Sequence, residues 1–177
     1  MQKLKPIARI PIKFGLMGGI LAGLIMLVMY YMGRHPFLLS PLLDFRVVLF
    51  SLFIFFSGKE FRDYHQAGEL YFWQGMATGI VCYLTIGIAG AIFLVLFGNL
   101  EPAFVTDYIE QATVQLIAGK EAMIDAVGTE AYETALARLP LTTITDLAGD
   151  YLIKSMVIGF FITVIISVVL RRQSKTN

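Results

Sequence analysis

Hydropathy and charge along these 177 residues predict an all-α integral membrane protein. Its expected form is four transmembrane helices, N-in/C-in, with an external amphipathic helical hairpin between the third and fourth. Three observations carry the prediction. Apolar stretches at about 12–32, 42–57, 72–97 and 151–170 approach or exceed the ~17–25 residues a helix needs to cross a bilayer. Hydrophobic residues make up 57% of the chain and charged residues only 15%, against roughly a quarter charged in a soluble domain. Lys and Arg also gather at alternate ends of the stretches, as the positive-inside rule requires.

The first stretch follows Lys3, Lys5, Arg9 and Lys13, a flank that a signal peptide would also carry. The run continues to Met32 with no small-x-small cleavage site before Arg34, so it reads as a retained helix. The second stretch ends at an inner loop, Gly58–Tyr71, that holds Lys59 and Arg62. The third opens on Tyr71, Phe72 and Trp73 at an inner interface, and the fourth ends on Arg171, Arg172 and Lys175. Nine positive charges thus fall on one side, against Arg34, Lys120 and Arg138 on the other. Tyr30, Tyr31 and Tyr151 fall at the expected outer interface, where amphipathic rings prefer to sit.

Residues 98–150 then lie outside, with nine Asp and Glu against Lys120 and Arg138. Val105, Tyr108, Ile109, Ala112 and Leu116 recur at helical spacing, so Pro102–Ala118 is expected as an amphipathic helix that Gly119 stops. A second, shorter helix is expected from Thr129, as N-cap, to Leu139, ended by Pro140. Neither helix has a core of its own. The hairpin either lies over the outer ends of the spans or docks a partner protein, since an acidic face is repelled by anionic lipid.

Membrane helices associate through small residues that let backbones approach. Gly15, Gly19 and Gly23 form such a stripe in the first span, and Gly75 and Gly79, followed by Gly87, form one in the third. Ser155, Gly159, Thr163 and Ser167 form another in the fourth, at four-residue intervals. These suit close packing within one chain; the stripe of the first span would also suit a homodimer.

Ionisable groups inside a bilayer are costly and therefore informative. Four stand near the outer rim: Asp44 and Arg46 at the start of the second span, Asp150 and Lys154 at the start of the fourth. Asp150 and Lys154, four apart with the acid first, are placed to pair. Asp44 and Arg46, two apart, point to different sides of a helix and are expected to pair with other helices, with Arg46 snorkelling outward. The cluster reads either as interfacial anchors or as a polar vestibule open to the outer side. His35 and His65 fall in opposite loops and cannot share a metal, and the single Cys82 excludes an intrachain disulfide. No phosphate loop, GxSxG or HExxH pattern is present. Neither catalytic residues nor a cofactor, metal or nucleic-acid site is expected.

Phe61-Arg62-Asp63 after the second stretch, Phe72-Trp73-Gln74-Gly75 and Gly79 opening the third, and a long acidic segment before a single last span form an ordered pattern. In that arrangement the chain resembles the uncharacterised bacterial membrane protein family called domain of unknown function 4199. The resemblance implies a four-span helical protein of a Gram-negative inner membrane and brings no activity, catalytic residue or cofactor with it. Arg62 and Asp63 are either an interfacial anchor and helix cap or a cytoplasmic partner contact. The functional expectation is an accessory or scaffold subunit acting by protein–protein association, with a membrane protein partner or another copy of itself. The alternative is a small oligomeric transporter or channel with a polar vestibule at its outer face.

Overall fold

Seven α-helices and two short 3₁₀ turns make up the described residues, 5–38 and 44–172, of the computed structural model. Lys3, Lys175 and the first residues of the expected second span, Leu42 and Leu43, lie outside them. The long helices are α1 (Pro6–Tyr31), α2 (Phe45–His65), α3 (Phe72–Leu100) and α7 (Ile144–Leu170). Between α3 and α7 stand α4 (Ala103–Ala118), α5 (Lys120–Val127) and α6 (Thr129–Arg138), and the 3₁₀ turns cover Pro36–Leu38 and Leu139–Leu141.

The helix starts follow from local chemistry. α1 begins on Pro6, whose missing N–H falls where a helix has no acceptor to offer it. The Asp44 side chain caps α2 by accepting the Arg46 backbone N–H at 3.0 Å. α7 begins at Ile144, well before 151, because Thr143 and Asp146 form a reciprocal capping box. The Thr143 N–H donates to Asp146 Oδ2 at 2.8 Å, and the Asp146 N–H donates back to Thr143 Oγ1 at 3.3 Å. The helix of the external segment that ends at Gly119 was expected; the immediate restart as α5 was not. Gly128, at φ +89°, then divides α5 from α6 in a conformation open to glycine, and it, not Thr129, occupies the N-cap of α6. The segment expected as an external hairpin is therefore three helices.

Among the described residues, three helices, α1, α3 and α7, are long and apolar enough to cross a membrane. The second expected span differs. α2 runs on through Lys59, Glu60, Arg62 and Asp63 to His65, and its uncharged run, 47–58, is twelve residues. Such a run covers about 18 Å of helix, against a hydrocarbon core of about 30 Å. Phe61-Arg62-Asp63, expected in the inner loop, lies in the last turns of this helix.

α3 is central, with α1 and α7 packed along it and α2 touching all three. Ala22, Leu49, Phe50, Ile54, Cys82, Ile86 and Ile162 form the middle of the core. One end is closed by Ile10, Phe61, Leu70 and Leu170, by a Lys13–Glu60 ion pair at 3.6 Å, and by paired backbone bonds between Leu70 and Arg172. The other end is closed by Met26, Leu94, Phe104, Leu147, Ala148 and Tyr151 beneath α4.

Candidate functional site

The rim under α4 gathers the ionisable residues. Arg46 is buried, 9% exposed, and it pairs with Asp44, contrary to the expectation that residues two apart would seek other helices. The reason is local. Asp44 is the N-cap and has extended backbone, so its carboxylate folds over the first turn, and the long Arg46 stem returns to meet it. Nε donates to both carboxylate oxygens at 2.8 and 2.9 Å, and Nη2 contacts Oδ2 as well. The remaining nitrogen, Nη1, donates to the Tyr151 carbonyl at 3.3 Å, and the guanidinium lies 5.2 Å from the Tyr151 ring centre. Arg46 therefore bridges α2 to α7 and does not snorkel outward. Tyr151 is itself 2% exposed, a core residue and not an interfacial belt residue.

Lys154 Nζ meets Asp150 at 2.6 Å, one turn apart on α7, with both side chains about half exposed. Asp44, Arg46 and Lys154 line one groove of about 350 Å³ between α2 and α7, whose other walls include Met26, Phe37, Phe45, Val157 and Ile158. Asp150 stands at its edge through Lys154. The groove is thus apolar along its length and charged at the end nearer α4.

Beside it lies a buried aromatic knot. His35 is 3% exposed, with ring centres at 4.5 Å from Phe104 and 5.2 Å from Tyr108. Its Nε2 lies 3.1 Å from the Phe104 carbonyl, and its Nδ1 accepts the Phe37 N–H at 3.4 Å, partners that suit a neutral ring protonated on Nε2. Burial, which outweighs the favourable Phe104 carbonyl and Asp107 charge, pushes His35 down to about 4. Burial and the Asp150 charge raise the Tyr108 phenol above its usual value. Tyr30 donates its hydroxyl to Asp107 at 2.9 Å, joining α1 to α4.

The remaining sequence-selected residues lie elsewhere. Arg62 and Asp63 pair with each other at 2.8 Å on the last turn of α2, at the opposite end of the bundle from the groove. Gly15, Gly19 and Gly23 face Thr85, Ala89 and Phe93 of α3. Gly75 and Gly79 face Ser167 and Thr163 of α7, Ser155 lies near Gly87, and Gly159 faces Tyr83. A Cβ on Gly159 would sit 2.5 Å from Tyr83 Cγ, so that approach admits no side chain. Among the described residues, no group of three or more His, Cys, Asp or Glu is placed to hold a metal ion.

Sequence reasoning set Tyr151 at an interface and His35 in a loop, and gave neither a place in the site. Stepping the Ser155–Thr163–Ser167 interval back by four reaches Tyr151, so that signal was present; His35 becomes visible only once α4 folds over it. Compared with known proteins, residues 13–172 match the family model described as protein of unknown function (DUF4199), the family that the sequence pattern resembles. No curated protein and no solved structure matches.

Proposed function

The chain belongs to the DUF4199 family of proteins of unknown function, and from that premise we propose that it is a four-span accessory or scaffold subunit of a bacterial inner membrane. It acts by association through its external helices. The observation that carries this reading is the set of apolar side chains that α4 and α5 leave exposed. Phe104 and Ala112 are buried toward the rim, while Val114 and Ile117 of α4 and Val127 of α5 are 63%, 57% and 54% exposed. Outside a membrane, such side chains, with Glu110 beside Val114 in a segment rich in Asp and Glu, fit an apolar partner surface with a basic border.

Support for four crossings comes from the course of α2. Its first turn sits beside Tyr151 at one end of the bundle, and Phe61 packs with Ile10 and Leu170 at the other. Its 21 residues cover about 31 Å. Pairing with Asp44 neutralises Arg46, and the flexible Lys59 and Arg62 stems reach back to an interface. Lys5, Arg9, Lys13, Lys59, Arg62, Arg171 and Arg172 share the end opposite α4, which favours both termini in the cytoplasm.

The test is photo-crosslinking from positions 114 and 117 in native membranes, with the lipid-facing position 160 as control. One defined crosslinked species from the first two, absent from the control, is expected. A chain that crosslinks from neither and elutes from mild detergent as a monomer would sink the reading. The groove favours a second reading, a small oligomeric transporter or channel with its vestibule at Asp44, Arg46 and Lys154. That reading requires Asp44→Asn or Lys154→Gln to abolish flux in a folded protein; variants that only lose stability would exclude it.

A further inference from the structure

We propose that the groove between α2 and α7 is a specific site for one zwitterionic phospholipid with a primary-amine head group, drawn from the surrounding bilayer. The proposal does not rest on the association reading. Depth is the first argument. Lys154 precedes Leu170 by 170 − 154 = 16 residues, about 24 Å along the helix. With the inner boundary at Arg171, a hydrocarbon core of about 30 Å puts the ammonium, on its flexible stem, at the opposite boundary where lipid phosphates lie.

Shape is the second. The 350 Å³ groove has Phe45, Val157 and Ile158 in its walls, and the exposure of neighbouring apolar residues turns it toward the acyl region. Val47, Ile153 and Val157 are 43%, 64% and 53% exposed on that side. An acyl chain fits along these residues, with its glycerol and phosphate at the charged end.

Charge selects the head group. The rim presents two cations, Arg46 and Lys154, and two anions, Asp44 and Asp150, two ion pairs with no net charge. The half-exposed Lys154 ammonium has three N–H donors, more than the Asp150 contact uses, and can donate to a phosphate. The half-exposed Asp150 carboxylate, one turn from Lys154, then accepts from the lipid amine. A lipid of net negative charge gains less here, because nine acidic residues of 98–150 lie on this side of the bundle against Lys120 and Arg138.

The experiment is native mass spectrometry of the full chain, delipidated in mild detergent. It is offered equal amounts of phosphatidylethanolamine, phosphatidylcholine and phosphatidylglycerol of matched acyl chains. One phosphatidylethanolamine per chain is expected, preferred over the other two by about tenfold. Lys154→Gln, at a half-exposed position that folding tolerates, and Val157→Trp, which fills the groove, should each erase that preference with the melting temperature unchanged. Equal or tighter retention of phosphatidylglycerol or phosphatidylcholine overturns the proposal. So does an unchanged preference in both variants, which would leave annular lipid only.

Discussion

Removing the Arg46 side chain leaves the Asp44 carboxylate at a nearly closed rim with no cation beside it, and that loss sets the size of the effect. Arg46→Leu is expected to destabilise the protein by about 3 kcal/mol, measured by denaturant titration in micelles. The double variant Asp44→Ser with Arg46→Leu keeps a capping oxygen and buries no charge, so it should recover most of that loss. A double variant no better than the single one would refute the pairing as the cause. His35 gives a pH test. Unfolded, the ring takes up its proton near 6.5; folded, near 4. Between those values unfolding binds a proton, so stability is complete above pH 6.5 and falls as pH drops toward 4. The limiting slope is one proton, about 1.4 kcal/mol per pH unit. His35→Gln should flatten that decline in the melting temperature, and an unchanged slope would place its origin elsewhere. Neither residue's role was visible in the chain alone. Two-residue spacing says that side chains diverge on a helix, but Asp44 stands just outside the helix, where that geometry does not hold.

At the scale of elements, two glycines of α7 separate packing from propensity. A Cβ on Gly159 meets Tyr83 of α3, whereas a Cβ on Gly149 has nothing within 4 Å. Gly159→Ala should therefore cost about 1–3 kcal/mol despite alanine's better helix propensity. Gly149→Ala should gain about 0.5–1 kcal/mol. Similar shifts for both in thermal unfolding would mean that α3 and α7 do not approach as closely as described. The spacing of the small residues was legible because a four-residue interval on a helix is a face whatever its partner. Helix ends were less legible. The capping box at Thr143 and Asp146 lies outside the apolar run, so hydropathy alone started α7 too late. At α2, hydropathy stopped the helix at its charges, although Lys and Arg continue a helix readily.

At the scale of the whole molecule, orientation is the property with the widest consequence. In a Cys82→Ala background, a cysteine at Glu121 should react with a membrane-impermeant maleimide from outside, and one at Tyr64, 81% exposed at the end of α2, only after lysis. If α2 does not cross and residues before α1 stay inside, the chain crosses three times and both results reverse. Membrane class, the three strongly apolar helices and the family followed from composition and order, because burial in lipid is decided by local hydropathy and needs no knowledge of neighbours. The candidate site was legible only in part. Asp44, Arg46, Asp150 and Lys154 stood out as charges in apolar surroundings. That three of them line one groove, that Arg46 holds Tyr151, and that α4 seals His35 into an aromatic knot depend on contacts between residues as many as 105 positions apart. Such contacts arise from how helices pack against one another. The sequence by itself determined which segments avoid water; the tertiary structure decided which charges meet.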